Sequence, residues 1–257
     1  MCEKYNSRAL ERRRFGATVT RFARLGGRLW PAVCVVCRRT GESGLDLCPA
    51  CRACLPGLVT AEGTLCPHCG EASGDPLSEG VCARCAARPS PFARLVVPWR
   101  YAFPLDRLIR RMKYHDARVL ARVFGTLLAR EGYPPEGVPM PELLLGVPSR
   151  AERRAEGFDH AAALARWCAR ELGVFDASAL AVRIVDTGPF AGLSRAARQD
   201  RIRGAFRVDE RLAGRHVAIV DDVLTSGATA GELARELYDT GVASVELWVL
   251  ARTPAIR

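Results

Sequence analysis

The chain has 257 residues, 49% hydrophobic, 26% charged and 7% aromatic, which is the balance of an ordinary soluble globular protein. That length can bury a real core, as one large domain or as a core domain with a small module. No run approaches 18 uninterrupted apolar residues, and arginines break every apolar stretch up to Trp30. Neither a membrane span nor a secretory leader is expected, and a cytoplasmic setting is.

The formal charge of +10 is unevenly placed. Residues 1–30 carry Lys4, Arg8, Arg12, Arg13, Arg14, Arg21, Arg24 and Arg28 against Glu3 and Glu11. Two readings of this basic arm stand. One gives it a polyanion partner such as single-stranded DNA. The other makes it a solvated tail in an arginine-heavy chain whose only lysines are Lys4 and Lys113.

Nine of the eleven cysteines fall between residues 34 and 85. Eight of them form Cys-x-x-Cys pairs: Cys34 with Cys37, Cys48 with Cys51, Cys66 with Cys69, and Cys82 with Cys85. Two-residue spacing lets both thiolates of a turn face one ion, and two such turns close a tetrahedral site. The repeat predicts two zinc ribbons in tandem over residues 31–90, with two structural zinc ions. A disulfide framework would need an oxidising compartment, for which no export signal speaks. Cys54 lies three residues after Cys51 and offers a competing pair, His68 is expected to be exposed, and Cys168 reads as a small buried hydrophobe.

After Pro89 and Pro91 the cysteines nearly stop, which marks a boundary to a second domain over 91–257. Residues 94–101 read as a short strand interrupted by Pro98. Helical spacing follows through Leu105, Leu108, Ile109 and Met112, and again through Leu120, Val123, Phe124 and Leu127. Strands are predicted at 142–147, 179–185, 216–220 and 242–251. Helices are predicted at 158–172, stopped by Gly173, and at 229–241. Alternating strands and helices imply an α/β fold built on a mostly parallel sheet.

The strand "HVAIV" runs into Asp221 and Asp222 and then into "TSGAT" and a helix. Ligands of parallel sheets bind beyond the carboxyl ends of the strands. Gly227 allows close backbone approach, while Thr225, Ser226 and Thr229 add hydroxyls. With Ala228 they open a helix whose N-terminal amides favour an anion. A phosphate cradle beside two carboxylates fits a ribose 5-phosphate, with its hydroxyls donating to the acids. No Gly-x-Gly-x-x-Gly and no Gly-Lys-Ser/Thr loop supports a dinucleotide or nucleotide alternative.

The stretch "AIVDDVLTSGATA" resembles the phosphoribosyl pyrophosphate (PRPP) motif of type I phosphoribosyltransferases. With the paired cysteines, "RMKYHDARVLA", "GVPSRAERRAEGFDHAAALA" and "GLSRAARQDRIRGAF", the chain from Cys34 to Thr253 resembles the ComF family. That resemblance implies a phosphoribosyltransferase-like domain behind the ribbons and a role with incoming single-stranded DNA in natural transformation. It also implies PRPP or ribose 5-phosphate as ligand, Mg²⁺ accompanying PRPP, and a helicase as candidate partner. On the pyrophosphate side it points to Pro148, Ser149, Arg150 and Gly157. The chain departs from the family pattern at Glu156 and Arg201, in place of Arg and Asn, and at Phe190 before "GLSRAAR", in place of Gln. Arg183 stands without its usual second arginine, the place being taken by Val185. Two functions stand: a PRPP-binding competence protein, or an active transferase on an unknown acceptor, with residues 187–205 as a closing loop.

Overall fold

The computed structural model describes residues 32–42, 44–58, 65–71, 81–114, 118–149, 158–185 and 195–253. The basic arm, Arg150, Glu156, Gly157, Phe190 and most of the first half of the expected closing loop lie outside the described residues.

The chain opens on tight turns carrying the cysteines. Val33 bridges Thr40 and Glu42 bridges Leu45, both antiparallel. A one-turn helix, α1 (Pro49–Ala53), then starts after Cys48 with proline in its first turn, where its missing N–H is no loss. A second short helix, α2 (Ala83–Ala87), starts after Cys82 in the same way but without the proline.

Two short strands follow, β1 (Arg94–Val96) and β2 (Trp99–Arg100), divided at Pro98, which has no N–H to give a ladder. Next come α3 (Leu105–Tyr114), α4 (Arg118–Gly132), β3 (Leu143–Gly146) and α5 (His160–Leu172). Asp159 caps α5 by accepting the Ala162 N–H, and left-handed Gly173 ends it. Then come β4 (Phe175–Asp176), β5 (Ala181–Arg183), α6 (Arg195–Ile202) and β6 (Phe206–Val208). The chain closes with β7 (His216–Leu224), α7 (Ala228–Asp239) and β8 (Ser244–Arg252).

The main sheet runs β1-β8-β7-β3-β4, with β2 also on β8, and every pairing in it is parallel. β5 and β6 form a separate antiparallel pair. Residues 179–185, expected as another strand, therefore yield only Ala181–Arg183, and outside the main sheet.

The central strands are apolar on both faces, as a sheet covered on both sides requires. Leu144, Ala218, Val220, Trp248 and Leu250 pack with buried residues of α3, α4 and α5. Leu145, Val217, Ile219, Leu247 and Val249 pack with Leu233, Ala234 and Leu237 of α7. The first core also takes in Cys34, Val35, Leu45, Leu47, Cys48, Cys51 and Leu55. The first cysteine module is thus part of the main core. Among the described residues no helix is long and apolar enough to cross a membrane.

Candidate functional site

The eight paired cysteines gather into two groups, Cys34/Cys37/Cys48/Cys51 and Cys66/Cys69/Cys82/Cys85. In each group the sulfurs lie within 4.8 Å of one another. Tetrahedral thiolates about 2.3 Å from zinc stand roughly 3.8 Å apart, so both groups fit one ion. Burial opposes ionisation, but the Arg39 backbone N–H and neighbouring thiols bring the Cys37 thiol down to about 6. Likewise backbone N–H groups of Cys82, His68 and Cys69 bring Cys66 to about 7 against burial. Amides that stabilise thiolates are what a metal-binding knuckle needs. Cys54 belongs to neither group, His68 is half-buried and no ligand, and Cys168 is fully buried.

The second site lies at the carboxyl end of β7. Asp221, Thr225, Ser226, Gly227, Ala228 and Thr229 line one open cleft, joined by Val223, Leu224, Ala230 and Val249. Strand β7 is longer than the 216–220 expected, because pairing to β8 continues through Asp221↔Val249 to Leu224↔Arg252. The acids are therefore strand residues, and successive strand side chains point to opposite faces. Asp221 lines the cleft, whereas Asp222 is only 3% exposed.

Gly227 makes the turn from strand to helix with φ at +76°, a conformation that burdens a residue bearing Cβ. It is the N-cap of α7 and offers no side-chain acceptor. The Ser226 hydroxyl accepts the Ala228 N–H at 3.3 Å. The remaining first-turn amides have no intrahelical partner and carry the positive end of the helix dipole. Chemically this is an anion seat with a carboxylate beside it.

Asp222 is met from within the chain. Lys113 Nζ of α3 stands 2.8 Å from its Oδ1, and His160 Nε2, at the start of α5, 2.9 Å from its Oδ2. Burial pushes Asp222 up, but Lys113 and His160 outweigh it and hold the carboxyl well below the usual range. Asp221 goes the other way. Burial, then the Asp222 charge, push it to about 7, against the pull of Lys113, the Asp222 N–H and His160. One acid is thus fixed as a carboxylate and the other is poised near neutrality. His160, Asp221 and Asp222 lie close enough to share a cation, although Lys113 already neutralises one Asp222 oxygen.

The position of His160 rests on Gly146 at the end of β3. A Cβ there would come within 2.6 Å of the Ala161 and Ala162 backbone, so only glycine lets α5 sit this close. From Gly146 the chain passes to Pro148, buried, and Ser149, whose N–H donates to Asp159 Oδ2 at 3.2 Å. The Ser149 hydroxyl oxygen is buried with no partner among the described residues. Arg183 is buried on β5, its guanidinium 5.8 Å from the Phe206 ring.

The sequence reading missed Lys113 and His160 as partners of Asp222. The signal available was rarity, because Lys113 is one of only two lysines, and both residues sit inside the stretches "RMKYHDARVLA" and "GFDHAAALA".

No family model matches this chain. DNA utilization protein YhgH of Salmonella typhi is 32% identical over 228 residues, covering 87% of this chain and 98% of that protein. The protein of the same name from Escherichia coli (strain K12) is also 32% identical with the same coverage. Competence protein F of Haemophilus influenzae is 27% identical over 220 residues, covering 79% of this chain and 96% of its own. Among solved structures, glutamine PRPP amidotransferase from B. subtilis, complexed with ADP and GMP, aligns with half of this chain at 21% identity. Its TM-score is 0.35, and this chain spans a quarter of its length. At that level the architecture rests on the strand order above.

Proposed function

The chain belongs to the family of DNA utilization protein YhgH and Competence protein F, the ComF family, and on that footing we propose that it is a competence-related protein whose cleft binds PRPP or ribose 5-phosphate. The observation that carries the proposal is the run from β7 through Asp221 into left-handed Gly227 and the N-terminus of α7. The ligand's 5-phosphate takes the loop and first-turn amides with the hydroxyls of Thr225, Ser226 and Thr229. Asp221 accepts from the ribose hydroxyls, while Asp222, held by Lys113 and His160, fixes the backbone beside it. By the family resemblance, Pro148, Ser149, Arg150 and Gly157 would supply the pyrophosphate side. Mg²⁺ accompanying PRPP would offset the pyrophosphate charge.

The paired cysteines hold two structural zinc ions, which supply folding free energy to residues 31–90. Residues 91–257 are the phosphoribosyltransferase-like domain and 1–30 a basic arm. The relatives' names, DNA utilization and competence, support a role with DNA; we take that DNA as single-stranded, the setting as cytoplasmic and a helicase as candidate partner. The arm's excess of cations supports contact with DNA phosphates, which would make affinity fall steeply with salt.

A second reading, transfer of the ribose 5-phosphate to an acceptor, is favoured by the buried Ser149 hydroxyl, a donor suited to a leaving pyrophosphate. Pyrophosphate release from PRPP with Mg²⁺, measured beside calorimetric PRPP affinity, tests both. Binding without release is expected, because the chain carries Glu156 where the family pattern has Arg, and a carboxylate there would set a negative charge against a polyanion. Release at a sustained rate would instead establish the transferase reading, and absence of binding would end both.

A further inference from the structure

Arg252, the last residue of β8, is 6% exposed and so needs acceptors for all five of its guanidinium N–H groups. It finds them in two places remote in sequence. Nε donates to the Cys69 carbonyl at 3.0 Å, and NH2 donates to both carboxylate oxygens of Glu71, each at 3.0 Å. NH1 donates to the carbonyls of Leu224 at 2.9 Å and Thr225 at 2.5 Å. Cys69 is a member of the second four-cysteine group, and Glu71 is also held by Arg84 at 2.8 Å, between Cys82 and Cys85. Leu224 and Thr225 line the cleft at the point where β7 becomes its loop.

One rigid, planar fork therefore spans from the cysteine knuckle to the loop. We infer that Arg252 is a positioning residue for the cleft loop, and that the second four-cysteine group sets the order of that loop through it. The guanidinium is conjugated and cannot bend. A shift of the Cys69 carbonyl or the Glu71 carboxylate turns its far edge away from Leu224 and Thr225. Among the described residues only Leu224 O has other donors, Thr253 reaching it with its N–H at 3.1 Å and its hydroxyl at 3.3 Å. Among the described residues Thr225 O has no other donor, and the Ser226–Gly227 turn follows directly. Lysine cannot replace this arginine, because a point charge with three donors does not reproduce a planar fork serving these five acceptor oxygens.

Among the described residues the first four-cysteine group has no such link. It is built into the core with Leu45, Leu47 and Leu55. The two groups should thus differ in what their loss does: the first lowers global stability, and the second loosens the cleft. The ligand half of this inference rests on the cleft being a ribose 5-phosphate site, while the loop half does not.

The test uses the full chain and four variants: Arg252→Lys, Glu71→Gln, Cys82→Ser for the second group, and Cys37→Ser for the first. Zinc per chain is measured for each, together with hydrogen exchange of the 226–229 amides and of the Leu144 and Leu145 amides of β3, and ribose 5-phosphate affinity. Glu71→Gln and Arg252→Lys are expected to keep both zinc ions, yet to speed exchange at 226–229 at least tenfold with β3 unchanged. Cys82→Ser is expected to do the same after losing one zinc, and Cys37→Ser to leave the loop-to-β3 ratio as in wild type. Ribose 5-phosphate affinity should fall with loop order in the same three variants. Exchange at 226–229 that stays at the wild-type rate in Glu71→Gln and Cys82→Ser overturns the inference. If the wild type binds no ribose 5-phosphate but the exchange pattern holds, the ligand reading fails and the coupling stands.

Discussion

The Lys113 ammonium stands 2.8 Å from Asp222 Oδ1, joining the C-terminal turn of α3 to the end of β7. Both side chains are largely buried, with 20% and 4% of their surfaces exposed. The pair answers how the chain tolerates two adjacent acids: one receives an internal cation, and the other is left to face the cleft.

Lys113→Met should therefore destabilise the fold. Removing one partner of a buried pair costs about 3–5 kcal/mol, and His160 remains on the other Asp222 oxygen, so about 2–3 kcal/mol is expected. Urea unfolding at pH 7 measures it, and adding Asp222→Asn should recover part of the loss. A Lys113→Met variant within about 0.5 kcal/mol of wild type would mean the ion pair does not hold the strand end.

Asp221 gives a pH dependence of definite sign. Its folded-state value near 7 lies above the ordinary value of about 3.9. Between these the native state holds a proton that the unfolded chain has released, so its contribution is full below about pH 4 and is lost as pH rises through about 7. Asp221→Asn cannot ionise and escapes that loss. Screening at a half-buried group limits the effect to about 1–2 kcal/mol. Urea midpoints at pH 5 and pH 8 should show the variant gaining on wild type as pH rises; parallel curves would contradict the assignment.

Much of this architecture is legible in the sequence, for identifiable reasons. The helices at 105–114 and 160–172 carry strong apolar periodicity and, in the second, Asp159 and Gly173 as caps. The two cysteine groups follow from spacing alone. β4, two residues long, is too short for any periodic signal. β7 ends later than its apolar run because pairing to β8 holds Asp221 and Asp222 in the ladder, a tertiary effect that composition does not carry. The same is true of Arg252, whose partners at Cys69 and Glu71 lie on the far side of the chain.

Metal removal should act on the whole fold. Cys34, Cys48 and Cys51 are 0%, 5% and 6% exposed and belong to the same core as α3, α4 and α5. Fresh protein should carry two zinc ions per chain by elemental analysis. Cys51→Ser should lower the thermal midpoint by roughly 10 °C, since metal binding supplies folding free energy. Less than one zinc per chain, or an unchanged midpoint on chelation, would rule out structural zinc.

The central claim is that the cleft from Asp221 to Thr229 receives a ribose 5-phosphate. Calorimetric titration of ribose 5-phosphate into the zinc-loaded protein at pH 8, with wild type and Asp221→Asn side by side, tests it most directly. The loss of one charged acceptor costs about 1.5–3 kcal/mol, so Asp221→Asn should weaken binding about tenfold or more while remaining folded. No binding by wild type, or equal affinity in Asp221→Asn, would contradict the account.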